Sequence, residues 1–386
     1  MRLSALRAAQ LRTHPQAQLP LDADLTIIDG PNGAGKTNLL EAIVLATTGR
    51  SWRTRTDREL VRHGEEAGRA ELHFCDEVGA AHLLTLTVHR GATDRLHRLD
   101  GTRAEVGAPR PQVVLFAPDR LALVQGSPQG RRAHLDQLVA ALWPARSGIR
   151  AEYARALGQR NALLHRAGSP AIEAWEAELA RHGVALRAAR SAAIDALTEP
   201  FSTLATELGL PGMPSLAYRT GDDTTTAEQL AALLAERRDR DRDRGFTQVG
   251  PHRDELAIRR DGRDLRSYGS QGEQRLAVLA LLLAERALLA EVRGRPPVAL
   301  LDDVGSELDA GRRRLLLAEV CRYGQVVIAT TSASELGQLP AGRSLRQIHV
   351  APASGADQPT SVLTVKAPTG RTASEIGPEP GAAATG

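Results

Sequence analysis

The stretch Asp29-Gly30-Pro31-Asn32-Gly33-Ala34-Gly35-Lys36-Thr37-Asn38-Leu39-Leu40 constrains the fold of this chain more than any other. It fits the pattern G-x-x-x-x-G-K-[ST], a turn whose backbone cradles phosphate. The preceding run Leu25-Thr26-Ile27-Ile28 is short, apolar and β-branched, as a buried strand is. The following residues, Asn38 to Leu45, carry apolar side chains at helical spacing. Strand, glycine turn and helix in that order make the pattern a site rather than a chance string.

Each residue type there has a physical reason. The glycines let backbone N–H groups close around an anion, and the helix beginning near Lys36 adds its positive end. Lys36 is placed to reach the β- and γ-phosphates of a nucleotide, and the Thr37 hydroxyl to ligate Mg²⁺. The predicted contacts are therefore Gly30, Pro31, Asn32, Gly33, Ala34, Gly35, Lys36, Thr37 and Asn38. Lysine occurs only at Lys36 and Lys366; every other Lys/Arg position is arginine. A chain that otherwise uses arginine keeps lysine where a slim point charge fits and a planar fork does not.

A second element lies far along the chain. Pro297 to Asp303 reads as an apolar strand ending in two acids. Parallel strands of a nucleotide-binding sheet present their C-terminal ends to the ligand. Asp302 is thus expected beside Thr37 as a Mg²⁺ ligand, and Asp303 one residue further on as the group that orients or deprotonates the attacking water.

Composition sets the remaining bounds. The 386 residues suggest two or three domains, and the 42% hydrophobic and 25% charged fractions suit a globular protein. A formal charge of +3 permits an anionic partner. Only 3% of residues are aromatic, which argues against broad base-stacking platforms. Cys75 and Cys321 show no metal spacing, and no secretory signal or membrane span is evident, so a cytoplasmic location is expected.

Along the chain, strands are expected over 2–29, 69–75, 82–90, 95–100 and 112–116. Residues 118–244 then turn helical, rich in Ala, Leu, Arg and Glu. One long helix there carries Ile172, Trp175, Leu179, Leu186 and Ala193 on a stripe, and Pro200 is expected to end it. The alternating Arg238 to Arg244 run reads as a solvated, self-compensated helix end. Strand character returns at Glu255 to Ile258, with Asp261-Gly262 as a hairpin turn. The expected organisation is a discontinuous α/β head, 1–117 with 245–366, a helical lobe at 118–244, and a disordered tail at 367–386.

Ser270-Gln271-Gly272-Glu273-Gln274 resembles the signature loop of ABC-type ATPases, a turn at a helix N-terminus suited to a γ-phosphate. Ser306-Glu307-Leu308-Asp309 resembles that superfamily's D-loop. The resemblance implies a P-loop ABC-type ATPase head in which the signature loop acts in trans, across a head-to-tail homodimer with two ATP molecules in its interface.

A more specific resemblance rests on several elements in order: Gly49 to Arg53, Pro118-Asp119, Gly126-Ser127-Pro128 through Arg131-Arg132 to Leu135-Asp136, Gly250-Pro251-His252-Arg253-Asp254, and Leu300 to Asp309. Together these resemble RecF, the bacterial recombinational-repair ATPase family related to SMC-type heads, over residues 3–350. Two departures stand out. His134 replaces the usual aromatic, and Gln10-Leu11-Arg12-Thr13-His14 replaces an Asn-Phe-Arg-Asn-Tyr-like run. The histidine and glutamine sensors of ABC transporters are not found at their expected places.

The resemblance implies an ATP-dependent, slow DNA-dependent ATPase of recombinational repair and replication-gap processing. It would bind double-stranded DNA beside single-stranded gaps and act with RecR and RecO to help load RecA. Arg53, Arg55, Arg131 and Arg132 are candidate DNA-phosphate contacts. The alternative is the ATPase subunit of a membrane transporter.

Overall fold

A computed structural model describes residues 1–54, 56–91, 95–104, 110–165, 170–303, 308–352 and 361–365. The expected tail, Arg55 and Ser306 lie outside the described residues. The chain divides into two compact units: residues 1–115 with the chain from Val298 onward, and Phe116–Pro297.

In the first unit, a six-stranded sheet has the order β2-β1-β4-β5-β6-β7. Its strands are β1 (Arg2–Leu11), β2 (His14–Pro20), β4 (Ala67–Cys75), β5 (Ala81–His89), β6 (Leu96–Leu99) and β7 (Thr102–Arg103). Neighbouring strands pair antiparallel. A second sheet has the order β15-β14-β3-β13-β12-β8, built from β3 (Leu25–Asp29), β8 (Val113–Phe116), β12 (Val298–Asp302), β13 (Val326–Thr330), β14 (Leu345–Pro352) and β15 (Ser361–Val365). Strands β12, β13, β3 and β14 run parallel. Buried on both faces, β12 and β13 are continuous apolar runs rather than alternating ones.

The helix Lys36–Thr48 packs against strands of both sheets. Every residue from Leu39 to Thr47 is buried, which suits a helix that is apolar nearly all round. The parallel register puts Asp29 opposite Thr330 and His349, and Asp302 opposite Ala329. The glycine turn and the two acids therefore leave the sheet at one edge.

The second unit is mostly helical, with the helices Pro128–Leu142, Ile149–Leu164, Ala171–Glu207, Ala227–Glu236 and Gln271–Arg293. A three-stranded sheet, β11-β10-β9, completes it: β9 (Pro214–Arg219), β10 (Glu255–Arg260) and β11 (Arg263–Asp264). Asp261 and Gly262, at φ 51 and 73, form the expected hairpin turn between the last two strands. The core gathers Tyr153, Ala156, Leu179, Leu186, Leu230 and Leu234.

Three sequence expectations change here. The helical unit does not stop at residue 244 but continues to Pro297. Strand β10 pairs with β9, and the helix Gln271–Arg293 packs along Ala171–Glu207, so contacts hold 245–297 in this unit. Pro200 does not end its helix, which runs on to Glu207. The proline costs about 3 kcal/mol in a helix interior. Leu197, Phe201 and Ala205, all at most 1% exposed, continue the packed face through it and outweigh that cost. The Arg238–Arg244 segment is helical but not wholly solvated. Asp241 is fully buried, because Arg160 Nη1 donates to its Oδ2 at 2.7 Å.

Candidate nucleotide-binding site

The glycine turn closes tightly on its surroundings. Gly30 has φ 152, and a Cβ there would lie 2.0 Å from the Val350 carbonyl oxygen. Gly35 caps the helix at φ 97, where a Cβ would strike Thr13 Oγ1 and His14 Nε2. Both positions exclude any side chain. No side chain caps this helix, so its leading N–H groups are left for an anion.

Lys36 is 8% exposed, and its Nζ donates to the carbonyl oxygens of Gly30 at 2.7 Å and Pro31 at 2.9 Å. Burial pulls its pKa below the ordinary lysine value, against the opposing pull of Asp303, Asp302, Asp29 and Glu335. One buried cation among four carboxylates is a site arranged for more positive charge, or for a ligand that brings it.

Thr37 Oγ1 donates to Asp302 Oδ1 at 2.8 Å, joining residues 265 apart in the chain. Burial raises the Asp302 pKa, while this hydrogen bond acts to lower it. A hydroxyl and a buried carboxylate are the hard oxygen donors that Mg²⁺ takes, so the pair fits that ion. Asp303 adopts φ 50, uncommon for a non-glycine residue, with its N–H held by the Ala329 carbonyl at 2.9 Å. Such backbone strain persists where the surroundings enforce it, as at functional sites. Asp309 caps the helix Ala310–Arg322 by accepting from Arg312 N.

Sequence reasoning missed an organising group. Glu41 is fully buried one turn into the helix Lys36–Thr48. Its carboxylate accepts from Arg12 Nε and Nη2 at 2.9 and 2.8 Å, from Ser51 Oγ at 2.5 Å, and from Arg53 Nη1 at 3.4 Å. Arg53 also donates to Asn38 Oδ1, and Asn38 Nδ2 donates to Thr13 Oγ1. The β1–β2 corner and the loop after the helix are thereby tied to the glycine turn. Arg12 and Gln10 hold φ 51 and 52 at that corner. A carboxylate inside an apolar helical run was the available signal. His349 Nδ1 and Gln347 Nε2 likewise meet Asp29, each at 3.0 Å.

The second candidate loop, Ser270 to Gln274, belongs to the helical unit. Ser270 accepts from Glu273 N, and Glu273 Oε2 accepts from Ser270 N at 2.8 Å, a complete capping box. Arg260 pairs with the same glutamate. Gly272 faces open space, whereas Gln274 is buried and braces the turn by donating to the carbonyls of Leu265 and Gly269. Gln125 Nε2 donates to Gln274 Oε1 at 2.7 Å, a contact no sequence spacing announces.

The candidate DNA contacts need correction. Arg131 is 2% exposed, bonded to the carbonyls of Val124 and Gly126 and paired with Glu255, so it cannot reach a phosphate. Arg132 is half-buried and donates to the Asp254 carbonyl. Arg53 is exposed but shares Asn38 and Glu41. His134, the departure from an aromatic, is bonded to Glu285 at 2.6 Å.

Two open cavities adjoin this region. One, of about 540 Å³, is lined by Arg12, Thr13, Asn38, Arg53, Arg58, Glu59, Val61, His63 and Arg90. The other, of about 910 Å³, is lined by Gly49, Arg50, Ser51, Thr54, Thr56, Asp57, Arg58, Arg90, Gly91 and Arg95.

Comparison with known proteins adds independent findings. Residues 2–339 match the RecF/RecN/SMC N terminal domain family. The chain is similar to the DNA replication and repair protein RecF of Anaeromyxobacter sp. (strain Fw109-5), 41% identical over 355 residues, covering 89% of this chain and 95% of the relative. A solved structure of the recombination mediator protein RecF-ATP in the RecFOR pathway superposes with a TM-score of 0.79 at 26% identity, covering 90% of this chain and 95% of that one. An Smc head bound to the C-winged helix domain of ScpA shares the fold, with a TM-score of 0.57 at 16% identity over 95% of this chain and 98% of that one.

Proposed function

This chain belongs to the RecF family, and we propose that it is an ATP-dependent DNA-binding protein of recombinational repair whose slow ATP hydrolysis works as a dimer switch. The observation that carries this reading is the Thr37–Asp302 hydrogen bond beside Lys36, at the edge where the glycine turn and the strand-end acids meet. The turn from Gly30 to Asn38 wraps the phosphates, and Lys36 exchanges its loop carbonyls for phosphate oxygens. Thr37 and Asp302 would hold Mg²⁺, which would supply positive charge against the negative charge of the triphosphate. Asp303 orients the attacking water or takes its proton.

Ser270 and Gly272, with the loop to Gln274, serve the ATP of a second copy, and Ser306 and Asp309 cross the same interface. The Glu273 charge at that helix start is offset by Arg260, which leaves the loop able to accept a phosphate. Two ATP molecules then hold two copies head to tail on double-stranded DNA beside a gap. Hydrolysis releases them, in the cytoplasm, and RecR, RecO and RecA are the partners. Family membership leaves the transporter-subunit alternative without a supporting observation.

Sedimentation tests the switch. ATP should convert monomer to dimer, and Lys36→Arg should stay monomeric. Asp303→Asn should dimerise, hydrolyse more slowly and remain dimeric longer. A wild-type chain that stays monomeric with saturating ATP removes the switch, and unimpaired hydrolysis by Asp303→Asn removes its assigned role.

A further inference from the structure

The cavities beside the glycine turn hold more positive charge than the fold uses. Three of their arginines have structural employment. Arg12 and Arg53 share Glu41, and Arg95 donates to Asp57 at 2.9 Å as well as to the Gly49 carbonyl. Arg95 is a brace, its charge already balanced.

The other three differ. Arg50 and Arg58 are exposed, and among the described residues neither is paired with a carboxylate. Arg90 is half-buried and fixed by carbonyl oxygens alone, donating to Glu65 O at 2.7 Å and Arg62 O at 2.6 Å. Carbonyl oxygens orient a guanidinium without cancelling its charge, and two of its five N–H donors are used, leaving three. Arg58 and Arg90 line both cavities, so the two adjoin along a shared wall and together make a trough. Among the described residues, the acids on its walls are Asp57, already paired, and Glu59. Three uncompensated guanidinium groups around one open trough repel each other, a cost offset when an extended anion lies among them.

Among the described residues, the lining contains no Phe, Tyr or Trp. Bases would find no stacking platform, whereas arginine forks match phosphate oxygens. A ligand with several phosphates in a row and no demand on its bases is the chemistry that fits.

We propose that the trough around Arg50, Arg58 and Arg90 is the seat of the DNA phosphodiester backbone, in place of Arg131 and Arg132. The inference rests on the DNA-binding reading above and says where that binding occurs. Its consequence is contact with phosphates alone, so affinity is independent of base sequence and steeply dependent on salt.

The test uses the full chain, a fluorescently labelled duplex and a series of salt concentrations, with ATP present. Arg50→Gln with Arg58→Gln is the variant of choice, since both side chains are exposed and hold no other element. The slope of log affinity against log salt should fall by about 1.8, roughly 0.9 for each lost phosphate contact, with at least a tenfold loss at moderate salt. ATP affinity, measured in parallel, and the melting temperature should not change. Unchanged DNA affinity and slope in the variant would overturn the trough while leaving DNA binding intact. A matching loss of ATP affinity would overturn it too, assigning the trough to the nucleotide. A wild-type chain that binds no duplex would bring down the DNA-binding reading itself, a result distinct from the other two.

Discussion

Arginine does opposite work in the two units. In the helical unit it is an internal strut. Arg160 is fully buried and meets Asp241, Glu176, Thr247 and the Leu234 carbonyl. Arg187 bridges Asp222 and Asp254, and Arg190 holds Asp136 and the Pro251 carbonyl. Each donates to several partners, as burying a charge requires. In the first unit, the trough arginines Arg50, Arg58 and Arg90 have no carboxylate partner among the described residues. Arginine content says nothing about anion binding until partners are counted. A buried guanidinium with its charge spent is scaffold; an accessible one without a counter-ion is an unfilled site.

Arg160→Ala should destabilise the protein by about 3–5 kcal/mol, since it removes the ion pair of the fully buried Asp241 and leaves Glu176 with Arg238 alone. Urea denaturation followed by circular dichroism would measure it, and a loss below about 1 kcal/mol would mean that water reaches these acids. Against this stands the near-zero stability change expected for the trough variant.

Glu41→Gln comes next, because Glu41 lies between the two cases: a buried acid whose arginines also border a cavity. An amide cannot balance two guanidinium groups, so a loss of about 1–3 kcal/mol is expected together with weaker ATP binding. If stability falls while nucleotide affinity holds, Glu41 is a strut like those of the helical unit.

The smallest effect is in acid. Burial acts to raise the Asp222 carboxyl, but hydrogen bonds from Arg187 and Thr224 overcome it and hold the group at about 2, below its ordinary 3.8. A depressed carboxyl adds stability that is complete above its unfolded value and disappears as pH falls through the folded one. The stability gap between wild type and Asp222→Asn should therefore narrow between about pH 4 and 2. A gap constant across that window would show that the Arg187 pair does not depend on the charge of Asp222.

Much of this was readable from the chain. The glycine turn, its flanking strand and helix, and the acids after Leu301 are local patterns, and the structure brings Thr37 and Asp302 together as expected. The element Gly250 to Asp254 was legible as a motif but not as an object. Asp254 is fully buried and accepts from Arg187, Tyr218 and Gly221, so it organises the helical core. Pro200 misled because a propensity rule ignores the packed face continuing through Phe201. Asp241 misled because alternating charge looks self-sufficient until Arg160, 81 residues away, takes it inside.

Sequence alone determined the phosphate-cradling chemistry, since a turn's conformational freedom and a helix's positive end depend on residues that are neighbours in the chain. It also determined that one strand would end in the acids facing that turn. The tertiary structure alone decided which arginines are spent and which are available, that Pro297 rather than residue 244 divides the units, and that Glu41 ties two segments to one helix. The physical reason is the same throughout. The value of a charge depends on its solvent exposure and its nearest opposite charge, and both are set by residues that only folding makes adjacent.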